Sequence, residues 1–257
     1  MNNDTTTLQH IAIIGATSGM AEHCARIWAS RANTRLTLIG RRPEALARIA
    51  GDLRVRNPNA PITLVQQRDA CNLADIEHIT AQTHALAPVD IALIAHGLLP
   101  GQAATQDDLA HCAEVLAING DSPVLYAAAF AHRMIARGAG TLAVIGSVAG
   151  DRGRKANYTY GAAKAMVDIY MQGLQHRLAI EKSAVRAVLI KPGPTDTPMT
   201  ADLKAQGARL APVEQVAAGI VRAIDRGQPV AYLPARWRII MGVIRHMPRF
   251  VFNRIDI

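Results

Sequence analysis

The chain has 257 residues, half of them hydrophobic but only 4% aromatic, and a formal net charge of +8. That length suits one α/β domain with a single large sheet, and apolar content made mostly of Ala, Ile, Leu and Val fits parallel strands buried on both faces. Cys24, Cys71 and Cys112 lie far apart without CxxC spacing, which argues against a disulfide framework or a zinc site, and no apolar run nears the roughly 18 residues of a membrane span. With no basic leader before Leu8, a cytoplasmic chain is expected.

The first apolar run, residues 10–14, ends at Gly15-Ala-Thr-Ser-Gly-Met-Ala21, after which Ala25, Trp28 and Ala29 continue at helical spacing. Strand, glycine turn and helix in that order make a cradle for a phosphate, because backbone N–H groups and the positive end of the helix dipole converge there. Gly15, Thr17, Ser18, Gly19 and Met20 are the candidates for that contact. Residues 35–39 read as the second strand, followed by Gly40-Arg41-Arg42-Pro43. Arginines at a helix N-terminus oppose the dipole, so an anionic partner would account for them. The 2'-phosphate of NADP(H), gripped by Arg41 and Arg42, is the natural one, with NAD(H) and a merely solvated turn left open.

The pattern repeats: strand 61–67 leads to Arg68-Asp69-Ala70, then helix 72–86, strand 90–95 and His96-Gly97. Alternation of this kind implies a parallel sheet of right-handed βαβ units. His96 without evident partners reads as structural, and the remaining histidines form no metal cluster. A helical stretch over 107–137 contains Asn119-Gly120 and Pro123, which predict a kink or break. Asn119 is there either as an irregularity or as the ligand of a water linking Lys164 to solvent.

Residues 141–146 form an apolar strand that delivers Ser147 to the sheet edge, where ligands bind. A Gly- and Arg-rich loop follows, then a helix with apolar residues at Ala163, Val167, Tyr170, Met171, Leu174 and Leu178. On it Tyr160 and Lys164 are i and i+4 and share one face. A ketone accepting hydride needs a proton at its oxygen, and a phenol with an ordinary pKa near 10 is a poor donor. A lysine ammonium one turn away stabilises the phenolate, and the Ser147 hydroxyl can hydrogen-bond the carbonyl oxygen as charge develops. Tyr and Lys at this spacing alone would be common on a solvated helix; the serine at a strand end changes the odds.

Residues 185–190 read as another strand, closed by Lys191-Pro-Gly-Pro-Thr-Asp-Thr-Pro-Met199, a loop stiffened by its prolines. Residues 200–212 look like a mobile lid, 213–224 a helix and 229–233 a last strand. No internal repeat or second-domain boundary is seen. Residues 1–234 are read as one catalytic domain and 235–257 as a basic amphipathic C-terminal segment.

With these residues assembled, the chain resembles the short-chain dehydrogenase/reductases over essentially its whole length. Gly15 and Gly19 match the family's glycine motif, with Ala21 in place of a third glycine. Asn119, Ser147, Tyr160 and Lys164 match its catalytic tetrad. The resemblance implies a single-domain, Rossmann-like, doubly wound parallel sheet of about seven strands with helices on both faces. It also implies NAD(P)H-dependent ketone reduction and a homo-oligomer, dimer or tetramer. Asp69 and Ala70 would meet the adenine, and Gly97 and Lys164 the nicotinamide side, Lys164 binding the ribose. Pro192, Gly193, Thr195 and Thr197 would lie around the nicotinamide and pyrophosphate. The family's Asn-Asn-Ala-Gly after strand four appears as Ile94-Ala95-His96-Gly97, so the asparagine contacts are absent.

Within that family, Ala95-His-Gly-Leu-Leu, Gly150-Asp-Arg-Gly-Arg-Lys-Ala-Asn-Tyr-Thr-Tyr-Gly and the ending from Leu233 are similar to the decaprenylphosphoryl-2-keto-ribose reductases. These reduce a lipid-linked 2-keto-pentofuranose to the arabinofuranose after a flavoprotein oxidase has made the ketone. Residues 235–257 hold five arginines against Asp256 alone, half the net charge. Trp237, Ile240, Met241, Ile244, Met247 and Val251 fall near one helical face, which Pro248 must bend or end. Such a segment suits either a membrane interface, placing the protein peripherally at the inner face, or a subunit interface. Reduction of other ketones, ketoacyl or steroid-like, and a non-catalytic dinucleotide sensor remain alternatives. Nucleic-acid binding is disfavoured because few aromatics are available for stacking.

Overall fold

A computed structural model describes residues 8–255. The N-terminal stretch read for a leader, and Asp256 in the tail, lie outside the described residues. Seven strands form one parallel sheet in the order β3-β2-β1-β4-β5-β6-β7. They are β1 Gln9–Ile14, β2 Thr34–Gly40, β3 Ile62–Gln66, β4 Ile91–Ile94, β5 Thr141–Ile145, β6 Arg186–Pro192 and β7 Val230–Leu233. Each falls where the branched apolar runs predict it, and the central ones are buried on both faces, as parallel strands between helical layers must be.

Successive side chains on a strand point to opposite faces, so β1 divides its residues between two cores. Ile11 and Ile13 pack with Trp28 of α1 (Gly19–Ala29), Leu46 and Leu53 of α2 (Pro43–Arg56) and Ile220 of α9 (Val213–Arg226). Ala12 and Ile14 pack on the other face, with Ile79 of α3 (Leu73–Leu86), Phe130 of α6 (Ser122–Arg137) and Met171 of α7 (Tyr158–Ile180). Local chemistry sets the helix ends. The Asn72 side chain accepts from Asp75 N at 3.1 Å to cap α3, and Gly138 and Gly227 take left-handed backbone after α6 and α9.

The break expected near Asn119 takes a milder form. α5 (Leu109–Leu116) runs into α6 through a π-helical turn, Ala117–Asp121, so the direction is kept while one residue is accommodated. The segment read as a lid contains a short helix, α8 (Ala201–Ala205), and is tied to the preceding loop, Ala211 N donating to Pro194 O at 2.9 Å and Ala211 O accepting from Asp196 N at 2.8 Å. A further short helix, α4 (Gln102–Gln106), precedes α5.

The tail forms α10 (Arg236–His246) and, after Pro248, α11 (Arg249–Phe252). The face read from the sequence is the inward one, with Ile244, Met247 and Val251 half-buried and Ile240 at its edge, and further apolar residues lie outside it. Met241 is fully buried and Trp237 partly so, whereas Ile239, Val243 and Phe250 are exposed. Arg152 Nη1 donates to the carbonyls of Ile244 and Met247, both at 2.6 Å, and its guanidinium lies 3.9 Å from the Phe252 ring centroid. The tail is thus clasped by the loop that follows Ser147. Among the described residues no helix is long and apolar enough to cross a membrane.

Candidate active site

Strand order reverses between β1 and β4, and a crevice opens at their carboxyl ends. Gly15 follows β1 with φ +76°, and a Cβ there would sit 2.6 Å from the backbone nitrogen of His96 after β4. Only glycine allows that approach. Gly15, Thr17, Ser18, Gly19 and Met20 line the crevice at the start of α1. Arg41 and Arg42, both exposed, line its far end with Gln67 and Ala70. Gly97 and Thr197 close the near end. An open anion cradle at a helix N-terminus with two cations beyond it fits a phosphorylated dinucleotide.

Asp69 is placed otherwise than the sequence reading expects. Its carboxylate accepts from Cys71 N at 2.8 Å, and it lines a neighbouring groove with Gln66 and Asp75 rather than the crevice. The Asx turn engages Oδ1 alone, and the next residue, Ala70, does line the crevice. His96 has more partners than its isolation in sequence suggests. Ser122 Oγ donates to Ala70 O, so His96 Nε2, 2.8 Å away, donates to Ser122. Burial, with the Lys164 and Arg41 charges, pushes the imidazole down to about 3, so it stays neutral. The ring therefore ties β4 to the loop after β3.

A second cleft, with an empty volume of about 830 Å³, adjoins the crevice and shares Ser18, Met20, His96, Gly97, Thr197 and Met199 with it. Ser147, delivered by β5, and Tyr160 and Lys164, on the first turns of α7, line it together with Asn119. Pro192, Gly193 and Thr195, from the end of β6, form another wall. The separate segments that carry the Ser, Tyr and Lys are therefore brought to one place. Lys164 Nζ donates to Ile145 O at 3.0 Å and lies 5.8 Å from the Tyr160 ring centroid. Asn119 Oδ1 accepts from Leu98 N at 3.0 Å, and its amide donates to Val115 O at 3.0 Å within the π-helical turn. Ser147 Oγ accepts from Ala149 N at 3.0 Å.

Electrostatically the site differs from the simple expectation that Lys164 lowers the tyrosine. Burial pushes the Tyr160 phenol up to about 12, opposed by its hydrogen bond with Ser147. Burial likewise pulls Lys164 down to about 8. Desolvation, the sole cause for Lys164 and the larger one for Tyr160, sets both shifts. Tyr160 is accordingly a protonated donor at neutral pH, and Lys164 is a cation whose charge is easily lost. That combination can protonate an oxygen as it becomes an alkoxide and hold the phenolate left behind.

Sequence reasoning missed the substrate walls. Leu99, Val148, Met199 and Leu203 make the cleft largely apolar, and Arg154 and Asn157 add polar groups. Trp237 reaches in from α10 so closely that a Cβ on Gly193 would sit 1.9 Å from the indole nitrogen. The sequence signals near them were the Ala95-to-Leu99 and Gly150-to-Gly161 motifs and the apolar spacing of the tail.

A nucleotide crevice at the switch point beside a Ser, Tyr, Lys and Asn cluster defines a dinucleotide-dependent oxidoreductase of the Rossmann type. The family profile for short chain dehydrogenase matches residues 9–208, and the chain belongs to the short-chain dehydrogenase/reductase family. It is 32% identical over 252 residues to an uncharacterized oxidoreductase of Mycobacterium tuberculosis, covering 98% of each chain. A galactitol 2-dehydrogenase (L-tagatose-forming) of Cereibacter sphaeroides is 31% identical over 200 residues, covering 75% of this chain and 74% of the relative. The crystal structure of a short chain dehydrogenase from Burkholderia cenocepacia in complex with NADP superposes with a TM-score of 0.80 at 16% identity, over 96% of this chain and 97% of that one. An actinorhodin polyketide ketoreductase with NADPH gives a TM-score of 0.77 at 20% identity, over 93% and 98% of the two chains.

Proposed function

We propose that this chain reduces a ketone at the expense of NADPH, and that the ketone is the 2-keto group of a polyprenylphosphoryl pentofuranose, giving the polyprenylphosphoryl arabinofuranose. The observation that carries the reductase reading is the convergence of Ser147, Tyr160 and Lys164 on a largely apolar cleft continuous with the nucleotide crevice. When bound, the nicotinamide supplies the hydride. Ser147 donates a hydrogen bond to the carbonyl oxygen and fixes its position. Tyr160 gives that oxygen its proton, and Lys164 stabilises the resulting phenolate. Asn119, held by Leu98 and Val115, keeps the π-helical turn against Gly97 and Lys164 and organises the route by which the proton is replaced.

Gly15, Thr17, Ser18, Gly19 and Met20 would hold the pyrophosphate, Ala70 the adenine side, and Gly97, Pro192, Gly193, Thr195 and Thr197 the nicotinamide side. Arg41 and Arg42 support NADP(H) over NAD(H), since both line the crevice and no carboxylate stands at the end of β2 to bind a free ribose. The sugar reading is supported by the motifs shared with the lipid-linked ketoribose reductases and by a relative named for forming a ketose. Exposed Ile239, Val243 and Phe250, set among Arg236, Arg238, Arg245 and Arg249, give the tail that carries Trp237 an apolar, basic surface suited to a membrane that carries such a substrate.

The test is to offer purified protein a polyprenylphosphoryl 2-keto-pentofuranose with NADPH and with NADH and to identify the sugar formed. Arabinofuranose made faster with NADPH supports the reading. Turnover of soluble ketoacyl or cyclic ketones with none of the lipid-linked sugar would move the protein to general ketone reduction.

A further inference from the structure

Arg154 is an arginine in the substrate cleft with nothing to pair with. Its Nε is buried and has no hydrogen-bond partner, and among the described residues it has no ion pair. No Asp or Glu lines the cleft. Burial alone pulls its pKa below the usual arginine range, with no neighbouring carboxylate to offset that. The residue is half-buried and a guanidinium does not give up its proton, so the side that the cleft walls strip of water lacks a counter-ion there.

Asn157, three residues on, is in the same condition. A turn in which Asn157 N donates to Arg154 O at 3.2 Å sets both side chains on the cleft. Asn157 stands at the N-cap of α7, where an Asn side chain usually accepts from the first helical amides. Here that work is done from outside: Thr159 N donates instead to Gln102 Oε1 at 3.1 Å. Asn157 Oδ1 is left buried without a partner. Two polar groups from one turn, a cationic donor and an acceptor, are therefore unsatisfied on the cleft wall.

The cofactor does not account for them. Its phosphate cradle, Gly15 to Met20, and the arginines beyond it line the crevice, and neither Arg154 nor Asn157 does. We propose that Arg154 and Asn157 form the anion-recognising end of the substrate site, the guanidinium pairing with a phosphate or carboxylate that the ketone substrate itself carries and Asn157 Oδ1 accepting from a hydroxyl beside it. This rests on the ketone-reductase reading and deepens it: the substrate is an oxyanion joined to an apolar body, the latter lying along Met199, Leu203 and Trp237. The Asp-Arg-Gly-Arg run then divides its labour. Asp151 pairs with Lys191, Arg152 clasps the tail, and Arg154 reads the substrate.

The test measures binding, by calorimetry, to the full chain saturated with NADP+, so that the phosphate cradle is filled and no turnover occurs. The probes are farnesyl phosphate, farnesoate, farnesol and inorganic phosphate. One of the two amphiphilic anions should bind roughly tenfold or more tighter than farnesol, the scale of one charge-assisted pair. Arg154→Met should erase that margin and Arg154→Lys retain part of it, both with NADP+ affinity unchanged. Equal affinity of the wild type for both anions and farnesol, an unchanged margin in Arg154→Met, or inorganic phosphate binding as tightly as farnesyl phosphate would each overturn the proposal. An Arg154-dependent margin in a protein that reduces no ketone would keep the anion site and refute the reductase reading. Ketone reduction without any margin would do the reverse.

Discussion

Replacing Lys191 by Met should cost the protein about 3 kcal/mol of stability, because it strands two buried carboxylates. Lys191 closes β6 with a side chain 3% exposed and is paired with Asp151 and Asp168, whose side chains are 1% and 13% exposed. The remaining oxygens are already satisfied: the Tyr232 hydroxyl donates to Asp151 Oδ2 at 2.9 Å and Gln172 Nε2 to Asp168 Oδ1 at 2.7 Å. Breaking a buried pair from one side costs about 3–5 kcal/mol, and those two surviving bonds place this case at the lower end. Urea unfolding at neutral pH reads the loss as a lower midpoint at unchanged slope. The carboxylates hold the Lys191 pKa above its ordinary 10.5, although burial, the largest single influence, pulls the other way. A raised lysine stabilises the fold fully below pH 10.5 and loses that contribution as pH climbs through the folded value, so the gap between wild type and variant should narrow only in strong alkali. Adding Asp151→Asn and Asp168→Asn should restore much of the loss by removing the stranded charge. A loss under about 1 kcal/mol in Lys191→Met would refute the view that Lys191 holds two buried carboxylates that depend on it.

Other outcomes follow from the site. Tyr160→Phe should lower ketone turnover by about 10²–10⁴-fold while NADPH affinity, read by fluorescence titration, stays intact. Arg41→Ala should weaken NADPH about tenfold or more and spare NADH, the scale of one charge-assisted pair; equal losses would remove the 2'-phosphate contact. Because Lys164 is pulled down to about 8, kcat/KM for reduction should fall as pH rises through that value, and a flat profile to higher pH would show that its charge is not needed. Gly193→Ala puts a methyl where the Trp237 indole lies, so the indole must move, and the variant should show altered tryptophan fluorescence and a lower Tm.

The sheet was legible because its signals are local. Branched apolar runs mark buried strands, and the chemistry after each strand, Gly15, Arg41 and Ser147, falls at the same carboxyl edge once the strands are parallel. Tyr160 and Lys164 were legible because helical period alone puts them on one face. What the sequence concealed depends on contacts between distant segments. Trp237 meets Gly193 only because the chain returns over the end of β6, and Arg152 finds the tail carbonyls across ninety residues of sequence. No periodicity encodes either contact. Arg154 looked like one basic residue among several in a loop, and only the absence of any carboxylate around it gives it meaning. Asp69 matches a motif, but the turn in which it accepts from Cys71 N could not be read from that match. The Tyr160 phenol also went against expectation, since burial is a property of the folded cleft and not of the Tyr-Lys spacing.

The most direct measurement of the central claim follows the hydrogen. Protein is incubated with a polyprenylphosphoryl 2-keto-pentofuranose and NADPH carrying deuterium at its transferring carbon, and the released sugar is analysed by mass spectrometry and NMR. The product should be arabinofuranose with one deuterium on the carbon that was the ketone, formed about 10²–10⁴-fold more slowly by the Tyr160→Phe protein. Unlabelled, unreduced sugar from a wild-type protein shown to bind NADPH would contradict it.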